Sequence, residues 1–187
     1  MARPRRSPLR LGLIGGECTG KTTLAAALAS RLPGCLVDEA LRELVAREGR
    51  PPVREEQAAL LADQQAREEA VAHGCRQPWL VADPAPLMTA VYSRLYFDDD
   101  TLTASAVEHA RGYALVVWCA DDLPWTADGA QRDGPEFRSR ADAIIDDLVR
   151  VHLAPRGIDV LRVHGSVQER LEQVGRAWQP RPPHPPT

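Results

Sequence analysis

The feature that most constrains the fold of this chain is a glycine-rich segment near its start. It fits the pattern G-x-x-x-x-G-K-[ST] at every fixed position and reads Gly15, Gly16, Glu17, Cys18, Thr19, Gly20, Lys21, Thr22. A short apolar run from Arg10 to Gly15 precedes it, and apolar residues at helical spacing follow from Lys21 to Leu32. A strand, a glycine-rich loop and a helix in this order form a phosphate site, because backbone N–H groups and the helix N-terminus face the anion.

The same segment predicts that the chain binds ATP with Mg²⁺. We expect the backbone from Gly15 to Thr23 to surround the phosphates, Lys21 to reach the β- and γ-phosphates, and the Thr22 hydroxyl to ligate Mg²⁺. Lys21 is the single lysine among 23 lysines and arginines, which indicates that a planar guanidinium would not serve there. A guanine-reading N-K-x-D element needs a second lysine, so the sequence argues against a GTPase switch.

The rest of the chain alternates short apolar runs with helical patterns, which predicts an α/β fold. We expect a P-loop NTPase with a five-stranded parallel sheet, helices on both faces and ligands at the carboxyl ends of the strands. The 187 residues fit one domain. We predict a kinase domain over residues 10–179 with a lid segment at about 121–140, a disordered basic tail at 1–9 and a disordered proline-rich tail at 180–187.

Composition argues against several classes of partner. The formal net charge of −3 lacks the basic excess typical of nucleic-acid binding, and no run approaches the ~18 apolar residues that span a bilayer. We therefore expect a small-molecule substrate and neither nucleic acid nor membrane, while the oligomeric state stays open. Four scattered cysteines without a CxxC pair predict reduced thiols, no zinc site, no disulfide and a cytoplasmic location: Cys18, Cys35, Cys75, Cys119.

Acidic residues follow two of the predicted strands where each strand ends. Asp38 and Glu39 come after the run Cys35 to Val37, and Asp83 follows the next strand. A kinase needs a carboxylate to receive the proton of the acceptor hydroxyl and another near the metal. We expect Glu39, or Asp38 if the strand ends one residue earlier, to be the base, and Asp83 to hold Mg²⁺ directly or through water.

The polar segment after the fourth strand carries further candidates. Trp125 has no helical or strand period around it, which favours stacking on a ligand ring over a place in the core. Arg132 and Arg138, with Arg140 as a third candidate, lie in or just after this segment, and we expect at least one of them to contact the phosphates.

Four segments, GGECTGKTTL, VDEALRE, VADPAPLMTAVYS and DLPWTADG, occur in an order and spacing that resemble a known family. The chain from Arg10 to Trp178 resembles the ribosylnicotinamide kinase domain of the bacterial NadR-type proteins of NAD biosynthesis. The resemblance implies transfer of a phosphoryl group from ATP to the ribose 5′-hydroxyl of nicotinamide riboside, giving nicotinamide mononucleotide. Because the chain begins at the phosphate-loop strand, we expect neither DNA repression nor adenylylation of the mononucleotide.

Matched residue by residue, the resemblance implies an acidic-basic element, a strand-end aspartate and a lid motif, which here are Glu39, Arg42, Glu43, Asp83, Trp125, Asp128 and Gly129. Tyr92 or Tyr96 would supply a second aromatic face for the ring. Two positions depart from the family pattern: Ala85 stands where a second acid or hydroxyl is common, and Arg132 lies one residue further from Gly129 than expected.

Two other interpretations of the sequence stay open. The acceptor could be a different nucleoside, a nucleotide or a sugar. The chain could also be an ATP-binding regulatory module that changes shape with little turnover.

Overall fold

A single parallel sheet forms the centre of the computed structural model, which describes residues 7–125 and 134–178. Its strands are β1 Leu9–Ile14, β2 Gly34–Val37, β3 Trp79–Ala82, β4 Tyr113–Cys119 and β5 Val160–Val163. The spatial order is β2-β3-β1-β4-β5, and every neighbouring pair is parallel. The predicted α/β fold with a five-stranded parallel sheet is confirmed.

The seven α-helices of the described residues lie on the two faces of this sheet. They are α1 Lys21–Arg31, α2 Ala40–Glu48, α3 Gln57–Gly74, α4 Leu87–Phe97, α5 Thr103–Ala110, α6 Pro135–Leu148 and α7 Val167–Ala177. A 3₁₀ turn, Arg54–Glu56, leads into α3, and α6 continues through a π-helical stretch, Val149–Leu153, and a 3₁₀ turn, Ala154–Arg156.

Burial on both faces explains why the central strands read as continuous apolar runs. On one face, α1 and α7 pack against the sheet through Leu24, Leu28, Leu171 and Val174. On the other face, the helices α4, α5 and α6 contribute Met88, Val91, Val107, Ile145 and Leu148. Side chains alternate along β1, so Leu11 and Leu13 join the first core and Ile14 joins the second.

The parallel arrangement brings the carboxyl ends of four strands to one edge of the sheet. Gly15 follows β1, Asp38 follows β2, Asp83 follows β3 and Ala120 follows β4. Ala85 N–H donates to Leu13 O at 2.9 Å, which ties the turn after β3 to the end of β1. The fold therefore assembles the loop and the predicted acids side by side.

The cysteine prediction was wrong for two of the four residues. Cys35 in β2 and Cys75, directly after α3, form a disulfide, while Cys18 and Cys119 do not take part in one. Sequence spacing could not reveal the pair because 40 residues separate the two cysteines. Folding α3 back along β2 brings them together.

One smaller finding adjusts the predicted boundaries. β1 begins at Leu9, the last residue of the predicted basic tail. The predicted 180–187 tail lies outside the described residues. Within them, no helix is long and apolar enough to cross a membrane.

Candidate functional site

The backbone of the segment between β1 and α1 needs its glycines. Gly15 has a φ of +147° and Gly20 a φ of +80°, conformations that side chains disfavour. A Cβ on Gly15 would lie 2.7 Å from Thr19 Oγ1 and 2.8 Å from Cys119 O. Thr19 Oγ1 in turn donates to Gly16 O at 2.8 Å, across the loop. The loop is thus held in one shape, with its backbone free to approach a ligand closely.

Lys21 lies at the centre of this loop. Its Nζ donates to the carbonyl oxygens of Gly15 at 2.8 Å and Gly16 at 2.7 Å. Burial lowers the pKa of Lys21, and the negative charges of Asp83 and Glu39 act against that shift. The predicted lysine and two of the predicted carboxylates therefore lie within electrostatic reach of one another.

Glu39 precedes the first residue of α2, and only 15% of its side chain is exposed. Arg42, one turn further on, donates from Nε to Glu39 Oε2 at 2.8 Å and from Nη2 to Thr22 Oγ1 at 2.9 Å. Burial raises the pKa of Glu39, although Arg42 and Lys21 oppose the rise. Arg42 thus links the predicted base to the predicted metal-binding hydroxyl.

The other members of the predicted acidic-basic element lie differently. Asp38 is exposed, and its charge is not among the main influences on Lys21, so Glu39 is the better candidate of the two. Glu43 pairs with Arg67 of α3 at 2.6 Å, in an exposed ion pair.

One carboxylate oxygen of Asp83 is buried and unpaired among the described residues. Its Oδ1 has no hydrogen-bond partner within the described residues. A buried carboxylate oxygen without a partner costs free energy unless a cation, a water or a ligand completes it. The nearby charges of Lys21 and Glu39 make this oxygen a candidate position for binding a ligand or a metal ion.

An aromatic wall borders the acids on the side of α4. Burial, and after it the charges of Glu17 and Glu39, raise the pKa of Tyr92 well above its ordinary value. The ring of Tyr96 lies 6.1 Å from that of Tyr92 and stacks on Phe137 at 5.9 Å. A small cavity is lined by Glu17, Tyr92, Leu95, Tyr96, Phe137, Arg138 and Ala141.

Arg138 of α6 lies against the phosphate loop at Gly16. Its Cγ would lie 3.0 Å from a Cβ on Gly16, and its Nη1 donates to Leu123 O at 2.9 Å. The Nε of Arg138 is buried without a hydrogen-bond partner in the described chain, and the same holds for Trp125 Nε1. Arg140 instead lies over the Phe137 ring, 5.3 Å from its centroid. Asp128, Gly129 and Arg132 lie outside the described residues.

Sequence reasoning missed two buried polar residues that touch the site. Gln64 of α3 accepts from Ala40 N at 2.8 Å and donates to Asp38 O at 3.3 Å, so it holds the backbone on both sides of Glu39. Arg170 of α7 is 1% exposed and donates to Thr19 O in the phosphate loop. Each occupies a buried position of its helix's apolar pattern, a signal that could have been read in the sequence.

Comparisons with known proteins identify the family and the fold of the chain. A family model described as an AAA domain matches residues 10–170. The chain belongs to the AAA domain family. A search of curated proteins finds no match for this AAA domain chain.

Solved structures of similar fold include three of ligand-bound proteins. The NadR protein in complex with NR is 17% identical, with a TM-score of 0.66, over 90% of this chain and 51% of that one. The NadR protein in complex with NAD and AMP-PNP is 18% identical, with a TM-score of 0.68, over 90% of this chain and 49% of that one. Deoxyadenosine kinase from M. mycoides, with dCMP and dCDP bound, is 12% identical, with a TM-score of 0.64, over 90% of this chain and 98% of that one. Identities this low show a shared fold, and this AAA domain chain spans about half the length of the NadR chains.

Proposed function

We propose that the chain is an ATP-dependent small-molecule kinase that phosphorylates the 5′-hydroxyl of nicotinamide riboside. The observation that carries the proposal is the grouping of Lys21, Glu39 and Asp83 beside the phosphate loop. Phosphoryl transfer uses a cation for the phosphates, a carboxylate for the acceptor proton and a carboxylate near the metal. The fold supports a kinase, and the identity of the acceptor rests on the sequence resemblance.

The loop fits a nucleoside triphosphate with Mg²⁺. A Cβ would obstruct the backbone at Gly15, the Thr22 hydroxyl stands at the start of α1, and Asp83 Oδ1 is a buried oxygen in need of a partner. Thr22 and Asp83 would hold Mg²⁺, with Asp83 acting directly or through water. When bound, Mg²⁺ would neutralise charge on the phosphate oxygens.

The chain's own residues would divide the remaining work. Lys21 supplies positive charge to the β- and γ-phosphate oxygens, and Arg138 adds a second cation above Gly16. Glu39 orients the acceptor hydroxyl and takes its proton as the new oxygen–phosphorus bond forms and the β–γ bridging bond breaks. Arg42 favours the ionised form of Glu39 and opposes the rise in its pKa that burial causes, because it pairs with the carboxylate at 2.8 Å.

Two aromatic residues singled out by the sequence add support for nicotinamide riboside. A pyridinium ring is cationic, and the faces of Trp125 and Tyr92 would attract it through a cation–π interaction. The NadR protein of similar fold was solved in complex with NR. An activity of this kind would serve NAD biosynthesis in the cytoplasm, and both the pathway and the location stay predictions.

A coupled ADP-release assay over a panel of acceptors tests the proposal. The panel contains nicotinamide riboside, deoxyadenosine, shikimate and gluconate, each with MgATP. We expect turnover with nicotinamide riboside, and loss of that turnover in Lys21→Ala with a wild-type melting temperature. Preference for another acceptor would leave a kinase with a different substrate, and ATP binding without turnover on any acceptor would favour the regulatory module.

A further inference from the structure

Arg170 is a buried cation whose hydrogen bonds reach three separate segments of the chain. From α7 it donates through Nη1 to Thr19 O in the phosphate loop and through Nε to Gly165 O at 2.9 Å. Its Nη2 donates to Asp122 Oδ1 and to Ala120 O at 3.4 Å, both just after β4. A cation that is 1% exposed needs such partners, because an unpaired buried charge would be strongly destabilising.

The bond to Thr19 O determines the direction of the next N–H group. In a trans peptide unit the C=O and the N–H point in opposite directions within one plane. Arg170 holds the carbonyl of the Thr19–Gly20 unit on the side of α7, so the Gly20 N–H faces the opposite side. Backbone N–H groups at this point of a glycine-rich loop are the ones that bind phosphate oxygens.

Asp122 holds Arg170 in turn. Its Oδ1 accepts from Arg170, and its Oδ2 accepts from Gly165 N, two residues before the first residue of α7. Although burial opposes it, the Gly165 N–H and the Arg170 guanidinium keep the pKa of Asp122 below its ordinary value. Arg170 also lines a cleft with Gly20, Thr23, Leu123 and Val167. The loop, the end of β4 and the start of α7 are therefore tied together by one ion pair.

We propose that Arg170 is a positioning residue of the nucleotide site, which aims the Gly20 N–H at the bound phosphates, and that Asp122 holds Arg170 in place for this purpose. The inference rests on the proposed binding of ATP and adds a residue pair to it. Neither residue needs to touch the nucleotide, because the effect passes through the Thr19–Gly20 peptide.

A simple charge effect would predict a different outcome. If Arg170 only attracted phosphate through its charge, Asp122→Asn would remove a nearby negative charge and tighten triphosphate binding. If Arg170 positions the peptide, the same variant loosens its anchor and weakens binding. The sign of the change in affinity therefore separates the two explanations.

Titration calorimetry with two ligands provides the test. One is MgATP, and the other is inorganic tripolyphosphate, which binds the phosphate loop but carries no nucleoside. We expect Arg170→Met to weaken both ligands by about 10- to 100-fold, the cost of losing hydrogen bonds to a charged group. Arg170→Lys, which keeps the charge, should recover only part of that loss. Asp122→Asn should weaken both ligands by about 3- to 10-fold, the cost of one weakened hydrogen bond.

Arg162→Met is the matched control, because Arg162 also pairs with an aspartate, Asp142 at 2.9 Å, but lies on β5 and stacks on Trp118. We expect it to bind both ligands like the wild type. All titrations are run below the melting temperature of each variant, and Asp122→Asn, whose side chain is 35% exposed, decides the matter if Arg170→Met does not fold. Wild-type affinity in the folded Arg170 variants, or tighter binding in Asp122→Asn, would overturn the inference. A wild-type chain that does not bind MgATP would instead overturn the proposed function.

Discussion

Arg42 contacts both the proposed catalytic base and the proposed metal-binding hydroxyl. It holds the carboxylate of Glu39 and the hydroxyl of Thr22 at the same time. Mg²⁺ at Thr22 would compete with the bond from Arg42 Nη2, so arrival of the metal–nucleotide pair would release Arg42 from Thr22. The exposed guanidinium, with 64% of its side chain in solvent, has room to move aside.

The first residue-scale prediction concerns pH. Glu39 must be ionised to accept a proton, so kcat/KM should rise with pH as Glu39 loses its own proton. Arg42 lowers the pKa of Glu39 and burial raises it. Removing the guanidinium in Arg42→Met should therefore raise that pKa further and move the acid limb of the profile to higher pH.

Profiles of kcat/KM for the wild type and the variant check this shift. Arg47→Met is the control, because Arg47 lies on the same helix but pairs with Glu48 at 2.9 Å. An acid limb that stays in place in Arg42→Met would show that Glu39 is not the group being titrated.

The second residue-scale prediction concerns Trp125. A stacked cationic ring contributes ~1–2 kcal/mol, so Trp125→Ala should weaken nicotinamide riboside about five- to thirtyfold and leave ATP unchanged. A neutral ring of similar shape should bind the wild type less well and show no such difference in the variant. Equal weakening of ATP and the riboside, measured from their KM values, would count against stacking at Trp125.

At the scale of elements, α3 supports the backbone that carries Glu39. Gln64 and Glu68 are buried on its inner side, one helical turn apart. Glu68 accepts from Tyr113 Oη at 2.7 Å and lies 2.8 Å from His109 Nε2, which links α3 to β4 and α5. Gln64 reaches the other way, to the start of α2, and so fixes the turn that carries Glu39.

Gln64→Met tests this link while conserving side-chain volume. Without the bonds to Ala40 N and Asp38 O, we expect about 1–3 kcal/mol less stability toward urea. Because Glu39 is then held less closely, kcat should fall by about tenfold, with KM for ATP unchanged. Gln65→Met, which loses only the long contacts to Ser105 at 3.4 Å, serves as the control. An unchanged kcat in Gln64→Met would mean that α2 positions Glu39 alone.

At the scale of the whole molecule, the disulfide joins the sheet to the end of α3. It lies toward the amino end of β2, while the phosphate loop and the acids lie at the carboxyl ends of the strands. Covalent closure between Cys35 and Cys75 restricts the unfolded chain, so it contributes to stability without entering the site.

Reduction of this bond should therefore separate stability from activity. Closing a loop of about 40 residues contributes about 4 kcal/mol in the chain-entropy model. The free energy of unfolding of the reduced protein should therefore be lower by about that amount, and the protein should unfold at a lower urea concentration. Turnover at 25 °C should be unchanged by the reductant. In Cys35→Ala the reductant should have no further effect on unfolding. Four reactive thiols in the unreduced protein, counted after unfolding because Cys119 is buried in the native state, would contradict the prediction.

Local patterns in the sequence were sufficient for the phosphate loop and the order of the elements. β3 and β4 begin and end where their apolar runs do, Trp79–Ala82 and Tyr113–Cys119, since strands buried on both faces need uninterrupted apolar residues. The loop was recognisable because its glycines and its lysine are adjacent along the chain. The carboxyl ends of parallel strands lie at one edge of the sheet. The sequence therefore also predicted that Asp83 and the Asp38–Glu39 pair lie near that loop.

Only the tertiary structure decided which side chains complete the site, because those contacts join residues far apart in the chain. Glu39 rather than Asp38 lies near Lys21 because α2 begins at Ala40 and turns the preceding side chain toward the loop. Arg170 meets Thr19 across 151 positions, a contact that no local pattern can predict. The sequence determined the glycine-rich loop and its lysine, while packing of α3 and α7 against the sheet decided which residues hold that loop and Glu39 in position.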